Sequence, residues 1–241
     1  MSQLSREDCI ELGLSVPSGP LIGWATEQLA IAKGREDRLE HRGITTPFLN
    51  EVKMLIGTVS ELQSLRMKDK TVLPPEVSQV QRVREEAFAY WLEAKQMLKI
   101  EFGTCPDIQA RCRLGVRTGR LLANLCRELE CVVSALRELS PHLSWLGADE
   151  PFIHAGEELI GKVKEAQATL HLTAQAMSPA FADLCFEKGK LYDLTRKLVR
   201  IGRLEYLHEP EQAAAFNYSV LRRELRAGSE VRAKTVKTVV R

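Results

Sequence analysis

The sequence predicts an all-α fold, a tandem duplication of an up-down helical-bundle unit with a 104-residue period, and three observations predict it. Ala, Leu, Glu, Lys, Arg and Gln dominate the 241 residues while aromatics are only 6 %, a composition of strong helix formers. Prolines 47, 75 and 106 return as Pro151, Pro179 and Pro210, each 104 residues later, which is the signature of an internal repeat. Between those prolines, apolar residues recur at helical spacing.

The best-kept block is Pro47–Gln63 against Pro151–Gln167, aligned without gaps. Eight of its seventeen positions are identical: Pro47, Phe48, Leu55, Ile56, Gly57, Val59, Glu61 and Gln63 with their counterparts. Elsewhere the matches keep apolar character, as in Val80 with Leu184, Phe88 with Tyr192 and Ile100 with Leu204, and these are predicted core positions.

Each helix follows from local chemistry. After an N-terminal segment with a short helix (1–18), Leu21, Ile22, Ala25, Leu29 and Ala32 share one face of a helix over 19–42. Thr46 reads as the N-cap of a helix over 47–68, whose stripe is Phe48, Val52, Leu55, Val59 and Leu62. Pro75 sits in the first turn of a helix over 75–102, where its missing N–H would have no partner, and Val77, Val80, Ala87, Trp91, Ala94 and Leu98 form its stripe. From Pro106 one seam runs through Ile108, Cys112, Gly115, Gly119, Leu122, Cys126, Leu129, Val133 and Leu136. That seam predicts one continuous long helix over 107–140, about 50 Å at about 1.5 Å per residue, joining the copies until Pro141 ends or kinks it. The second copy then predicts helices over 151–177, 179–206 (capped by Ser178) and 210–227. The domain reading is repeat 1 over 19–124, repeat 2 over 125–228 and a basic tail over 229–241.

The formal charge of +2 is too small to make the whole chain a polyanion binder. Positive charge gathers at the end, at Arg222, Arg223, Arg226, Arg232, Lys234, Lys237 and Arg241. These are candidate contacts to a partner, to nucleic acid or to an anionic surface, although few aromatic residues accompany them to stack on bases. No apolar run reaches the length of a spanning helix and the N-terminus has no signal-peptide pattern, so the expected location is cytoplasmic. The six cysteines are scattered and are expected to be reduced core residues.

Catalytic and metal motifs are sparse. Glu205-x-x-His208 has the spacing of a di-iron bundle ligand pair, but such sites need it twice, and the first copy has Glu101-x-x-Thr104. Glu61 and Glu165, Gln63 and Gln167, and His154 with Glu157 read as surface or inter-helix polar residues. No metal, cofactor or catalytic residue is therefore expected. Gly57 and Gly161, kept mid-helix in both copies, and Gly115-x-x-x-Gly119 are expected to mark close helix packing. The functional expectation is a non-enzymatic structural or adaptor protein that uses helix faces for protein–protein contact or self-assembly. The alternatives are anion or nucleic-acid binding through the basic end, and a ligand or metal held inside a bundle.

Overall fold

The computed structural model describes residues 4–69, 75–114, 121–219 and 221. Those residues are helical throughout apart from turns, and no strand occurs among them. In chain order the helices are α1 Arg6–Ser15, α2 Ser18–Lys33, α3 Glu36–Leu39, α4 Thr46–Asp69, α5 Pro75–Phe102, α6 Pro106–Arg111, α7 Leu122–Leu143, α8 Glu150–Ala176, α9 Pro179–Glu205 and α10 Pro210–Ala215. Two 3-10 turns, Glu40–Arg42 and Ser144–Leu146, follow α3 and α7.

Helix starts follow the expected chemistry. Ser5 accepts from the Asp8 amide while Asp8 accepts from the Ser5 amide, a reciprocal cap on α1. Asp149 accepts from Phe152 N at 3.0 Å to start α8, and Ser178 caps α9 through Phe181 N. Pro179 and Pro210 lie in first turns, as predicted. Thr46 is already the first residue of α4 rather than its cap.

Three terminations share one device, an i→i+5 and i→i+3 pair of amide bonds around a left-handed residue. Gly43 (φ 86°) donates to Glu40 O and Ile44 to Leu39 O. Gly147 (φ 89°) donates to Ser144 O and Ala148 to Leu143 O. Arg113 (φ 50°) donates to Ala110 O and Leu114 to Gln109 O. The residue after each left-handed position, Ile44, Ala148 or Leu114, is buried, so an apolar anchor holds each closure.

The last of these overturns the long helix predicted over 107–140. The chain turns at 112–114, and α6 and α7 are separate helices. An apolar seam specifies only what faces the core, and helix C-termini can reverse without disturbing that pattern. Pro141 lies inside α7, which continues to Leu143. The helix expected over 19–42 is likewise divided into α2, α3 and a 3-10 turn. At the other end α10 stops at Ala215, short of the expected 227.

Two compact units divide the chain: Met1–Thr71 with Ser178–Arg241, and Val72–Met177. Each draws on both segments, 19–124 and 125–228. In the first unit α9 is the hub, packed against α1, α2, α4 and α10, while α2 also packs on α4. Trp24 is fully buried there, its indole N–H donating to Asn217 O at 2.7 Å and its ring against Tyr192 and Tyr218. In the second unit α5, α7 and α8 pack mutually, and α6 lies against α5. Tyr90 stacks on Phe152 at 4.6 Å and donates to its carbonyl.

The predicted stripe of α5, from Val77 to Leu98, is buried. Phe88, Ile100 and Leu204, predicted core, are instead 44 %, 64 % and 53 % exposed.

Candidate functional site

The end of the first unit where α2, α3, α9 and α10 converge gathers Arg38, His41, Arg42, Glu205 and Glu209 into one ion-pair network. Gly34 caps α2, and the chain turns at once into α3, so Arg35, Arg38 and Arg42 fall on one side at helical spacing. On the opposite wall α9 ends at Glu205 and Tyr206, and Glu209 and Gln212 open α10. Cations beside the C-terminus of a helix meet the negative end of its dipole.

Glu205 is the centre of the cluster. Its side chain is 9 % exposed and receives Arg42 Nε at 3.0 Å, His41 Nε2 at 3.1 Å and Arg38 Nη2 at 3.4 Å. The hydrogen bond from Arg42, with the charges of His41 and Arg42 and a bond from Arg38, holds its carboxyl below the usual range despite desolvation. Arg38 also pairs with Glu209 at 2.8 Å and lies 4.4 Å over the Tyr206 ring. Arg35 stands differently. Its Nε and Nη2 donate to the Gln212 amide oxygen at 3.2 and 2.6 Å, and its Nη1 donates to Ile31 O at 3.1 Å. Its guanidinium lies 5.9 Å from the Tyr206 and Phe216 rings. Gly34, Arg35, Arg38, Tyr206, Glu209 and Gln212 line an open cleft of about 400 Å³.

The second unit holds a different polar locus. Glu128 is 3 % exposed and pairs with Arg113 Nη1 at 2.8 Å, and its other oxygen is buried without a hydrogen-bond partner among the described residues. Lys95, also buried, places its ammonium 4.5 Å from the Trp91 ring, and burial pushes its pKa down.

The sequence-predicted residues are distributed as follows. A Cβ added at Gly57 or Gly161 meets nothing within 4 Å, so neither marks close packing, and the expectation for this pair is corrected. Close approach belongs to Gly13, Gly156, Gly189 and Gly202 instead, where a Cβ would overlap Cys185, Tyr90, Cys9 and Phe216 respectively. Gly115 and Gly119 lie outside the described residues, as do Arg222, Arg223, Arg226, Arg232, Lys234, Lys237 and Arg241. His208 is exposed beyond the end of α9, while the Glu205 oxygens are engaged by cations. Glu61 and Glu165 are exposed, and His154 lies near Glu157 and Glu158 on the surface of α8. The cysteines are free, four of them buried. Burial pushes the thiols of Cys9, Cys112, Cys126 and Cys131 up. No described helix is long and apolar enough to cross a membrane.

Arg35, Arg38 and Arg42 were passed over in the sequence, although their 3-4 spacing is a signal that could have found them. Their convergence with Glu205 and Gln212, some 170 residues away, had no local signal. Comparison with known proteins adds no relative: no family model, curated protein or solved structure matches this chain.

Proposed function

We propose that the chain is a non-enzymatic, cytoplasmic structural or adaptor protein, built as a tandem duplication, that uses exposed helix faces to contact a protein partner or further copies of itself. The carrying observation is the solvent side of α5, where Phe88, Leu92 and Ile100 are 44 %, 45 % and 64 % exposed. Large apolar side chains grouped on one exposed helix face are characteristic of contact surfaces, whereas scattered ones are ordinary. The polar groups of the two units support the same reading, since Glu205, Glu209 and Glu128 are engaged in ion pairs that hold helices together. Free thiols fit a reducing compartment.

Supporting the duplication, α4 and α8 begin at 46 and 150, α5 and α9 at 75 and 179, and α6 and α10 at 106 and 210, each pair 104 apart. The left-handed glycines 43 and 147 keep the same interval. In this reading each unit combines the first two long helices of one copy with the third of the other: α2 and α4 with α9, and α7 and α8 with α5. Such reciprocal exchange makes neither copy a bundle by itself.

Sedimentation velocity over a wide concentration range, together with co-purification from cells, tests the function. Self-association or a stoichiometric partner that is lost in Phe88→Glu/Leu92→Glu, with helicity retained, is the expected result. A strict monomer whose co-purifying proteins are the same for wild type and variant would overturn it.

A further inference from the structure

We infer that the cleft between α3 and α10 is a binding site for an oxyanion, a carboxylate or phosphoryl group, gripped by Arg35 with Arg38. The charge balance inside the cluster is uneven. Glu205 is shared by Arg38, His41 and Arg42, and Glu209 is matched by Arg38, so two carboxylates face three guanidiniums. The surplus resides on Arg35, whose partners are a neutral amide and a carbonyl.

The geometry of Arg35 assigns where the ligand goes. A guanidinium has five N–H donors. Gln212 takes the edge formed by Nε and Nη2, and Ile31 O takes one donor of Nη1. That leaves one N–H on each terminal nitrogen of the planar fork for a carboxylate or phosphate to accept. Gln212 and the flanking Tyr206 and Phe216 rings fix the plane of that fork before any ligand arrives, so little side-chain freedom is lost on binding. Glu36, Asp37 and Glu40 on the same short helix and turn do not line the cleft.

The second unit supplies an internal control, which rests on the 104-residue register proposed above. At the positions matching Arg35, Arg38, His41 and Arg42 it carries Leu139, His142, Trp145 and Leu146, and Phe102 matches Tyr206. His142 meets Phe102 edge-on at 6.2 Å, where Arg38 covers Tyr206. The same turn and helix end are thus built without a guanidinium, and the fold by itself does not require the arginines.

The test titrates the full chain at low ionic strength with inorganic phosphate and, separately, with a blocked tetraglutamate peptide, using chloride at matched ionic strength as the reference. Binding of phosphate, of the peptide or of both above the chloride reference is expected, and the pattern tells which oxyanion source the cleft takes. Arg35→Leu, which installs the residue found at 139, should weaken binding at least tenfold, and Arg200→Leu, at an exposed site elsewhere on α9, should leave it unchanged. Arg35→Lys keeps the charge but removes the fork, so it too should bind more weakly, and it replaces the leucine variant if that one fails to fold. Neither probe binding, or equal binding by wild type and both Arg35 variants, overturns the inference. Sedimentation of the Phe88 and Leu92 variant is independent of these titrations, so failure of one reading leaves the other standing.

Discussion

Gly13 on α1 is pressed against the main chain of Cys185 on α9, so closely that a Cβ at residue 13 would lie 2.6 Å from the Cys185 carbonyl carbon. The relationship is reciprocal, because a Cβ at Gly189 would lie 2.5 Å from the carbonyl carbon of Cys9. Each helix carries a cysteine and, four residues later, a glycine, and the two pairs interlock head to tail. The approach buries six consecutive residues of α1, Cys9–Leu14, although the helix is only ten residues long.

Backbone cannot step aside as a side chain can, so Gly13→Ala and Gly189→Ala must push α1 away from α9. Each should cost about 3 kcal/mol, the upper part of the range for overpacking. Chemical denaturation monitored by circular dichroism reads this directly. A loss below about 0.5 kcal/mol at either site, no more than an ordinary surface substitution, would show that α1 does not sit as close as described.

Gly57→Ala and Gly161→Ala should do the opposite. Both glycines lie on exposed helix faces with nothing within 4 Å of a new Cβ, so alanine adds helix propensity and no clash. A gain of about 0.5–1 kcal/mol each is expected from the same denaturation experiment. Destabilisation at either position would mean that some element does pass over it.

These two pairs show what was legible in the sequence and what was not. Helix starts were readable because proline acts through its own backbone and a serine cap through the amide three residues on, as at Ser178–Pro179. The burial of the α5 stripe was readable because its period is local. The use of a mid-helix glycine is not local: Gly13 and Gly57 look alike until the element opposite each is known. Arg113 gave no sign of a helix end, since a left-handed arginine is disfavoured by its own Cβ and is held there by a buried carboxylate fifteen residues on. For the cleft, the spacing of Arg35, Arg38 and Arg42 was a local signal that went unread, and its partners Glu205 and Gln212 came from the far end of the chain. Nor could the apolar pattern say which third helix completes which unit, since α5 and α9 present similar stripes.

Glu205 makes the first unit sensitive to acid. Its carboxyl titrates below the ordinary range in the folded chain, so the stabilisation is complete above the unfolded-state pKa and is lost as pH falls through the folded-state value. The melting temperature of wild type should therefore fall more steeply below the usual carboxylate range than that of Glu205→Gln. Parallel melting curves for the two proteins across acid pH would refute this assignment.

The thiols should be slow. Burial pushes Cys9, Cys112, Cys126 and Cys131 up, and the thiolate is the species that reacts. Native protein at pH 8 should alkylate at these four positions at least about tenfold more slowly than free cysteine, and at the free rate in denaturant. Peptide mass spectrometry resolves each site. Rapid labelling of half-buried Cys131 in the native state would contradict both its burial and its bond to Arg111 O.

Arg113 carries two opposing effects that substitution can separate. Its left-handed backbone costs about 1 kcal/mol or more in a residue with a Cβ, which glycine would relieve. Its guanidinium neutralises Glu128, which at 3 % exposure has no access to water. Arg113→Gly should still destabilise, by about 2 kcal/mol, because breaking a largely buried pair costs roughly 3–5 kcal/mol, discounted here for the 40 % exposure of the arginine side chain. Arg113→Ala, which loses the pair and keeps the strain, should cost about 1 kcal/mol more than the glycine variant. Glu128→Gln in the Arg113→Gly background removes the stranded charge and should recover most of the loss, giving a coupling energy on the order of 2 kcal/mol. Lys95 is near enough to influence Glu128 and blunts the effect from the other side, so a Lys95→Met background should enlarge it. Additive losses for Arg113→Gly and Glu128→Gln would mean that the pair does not hold the turn, and that the break between α6 and α7 is set by Leu114 packing alone.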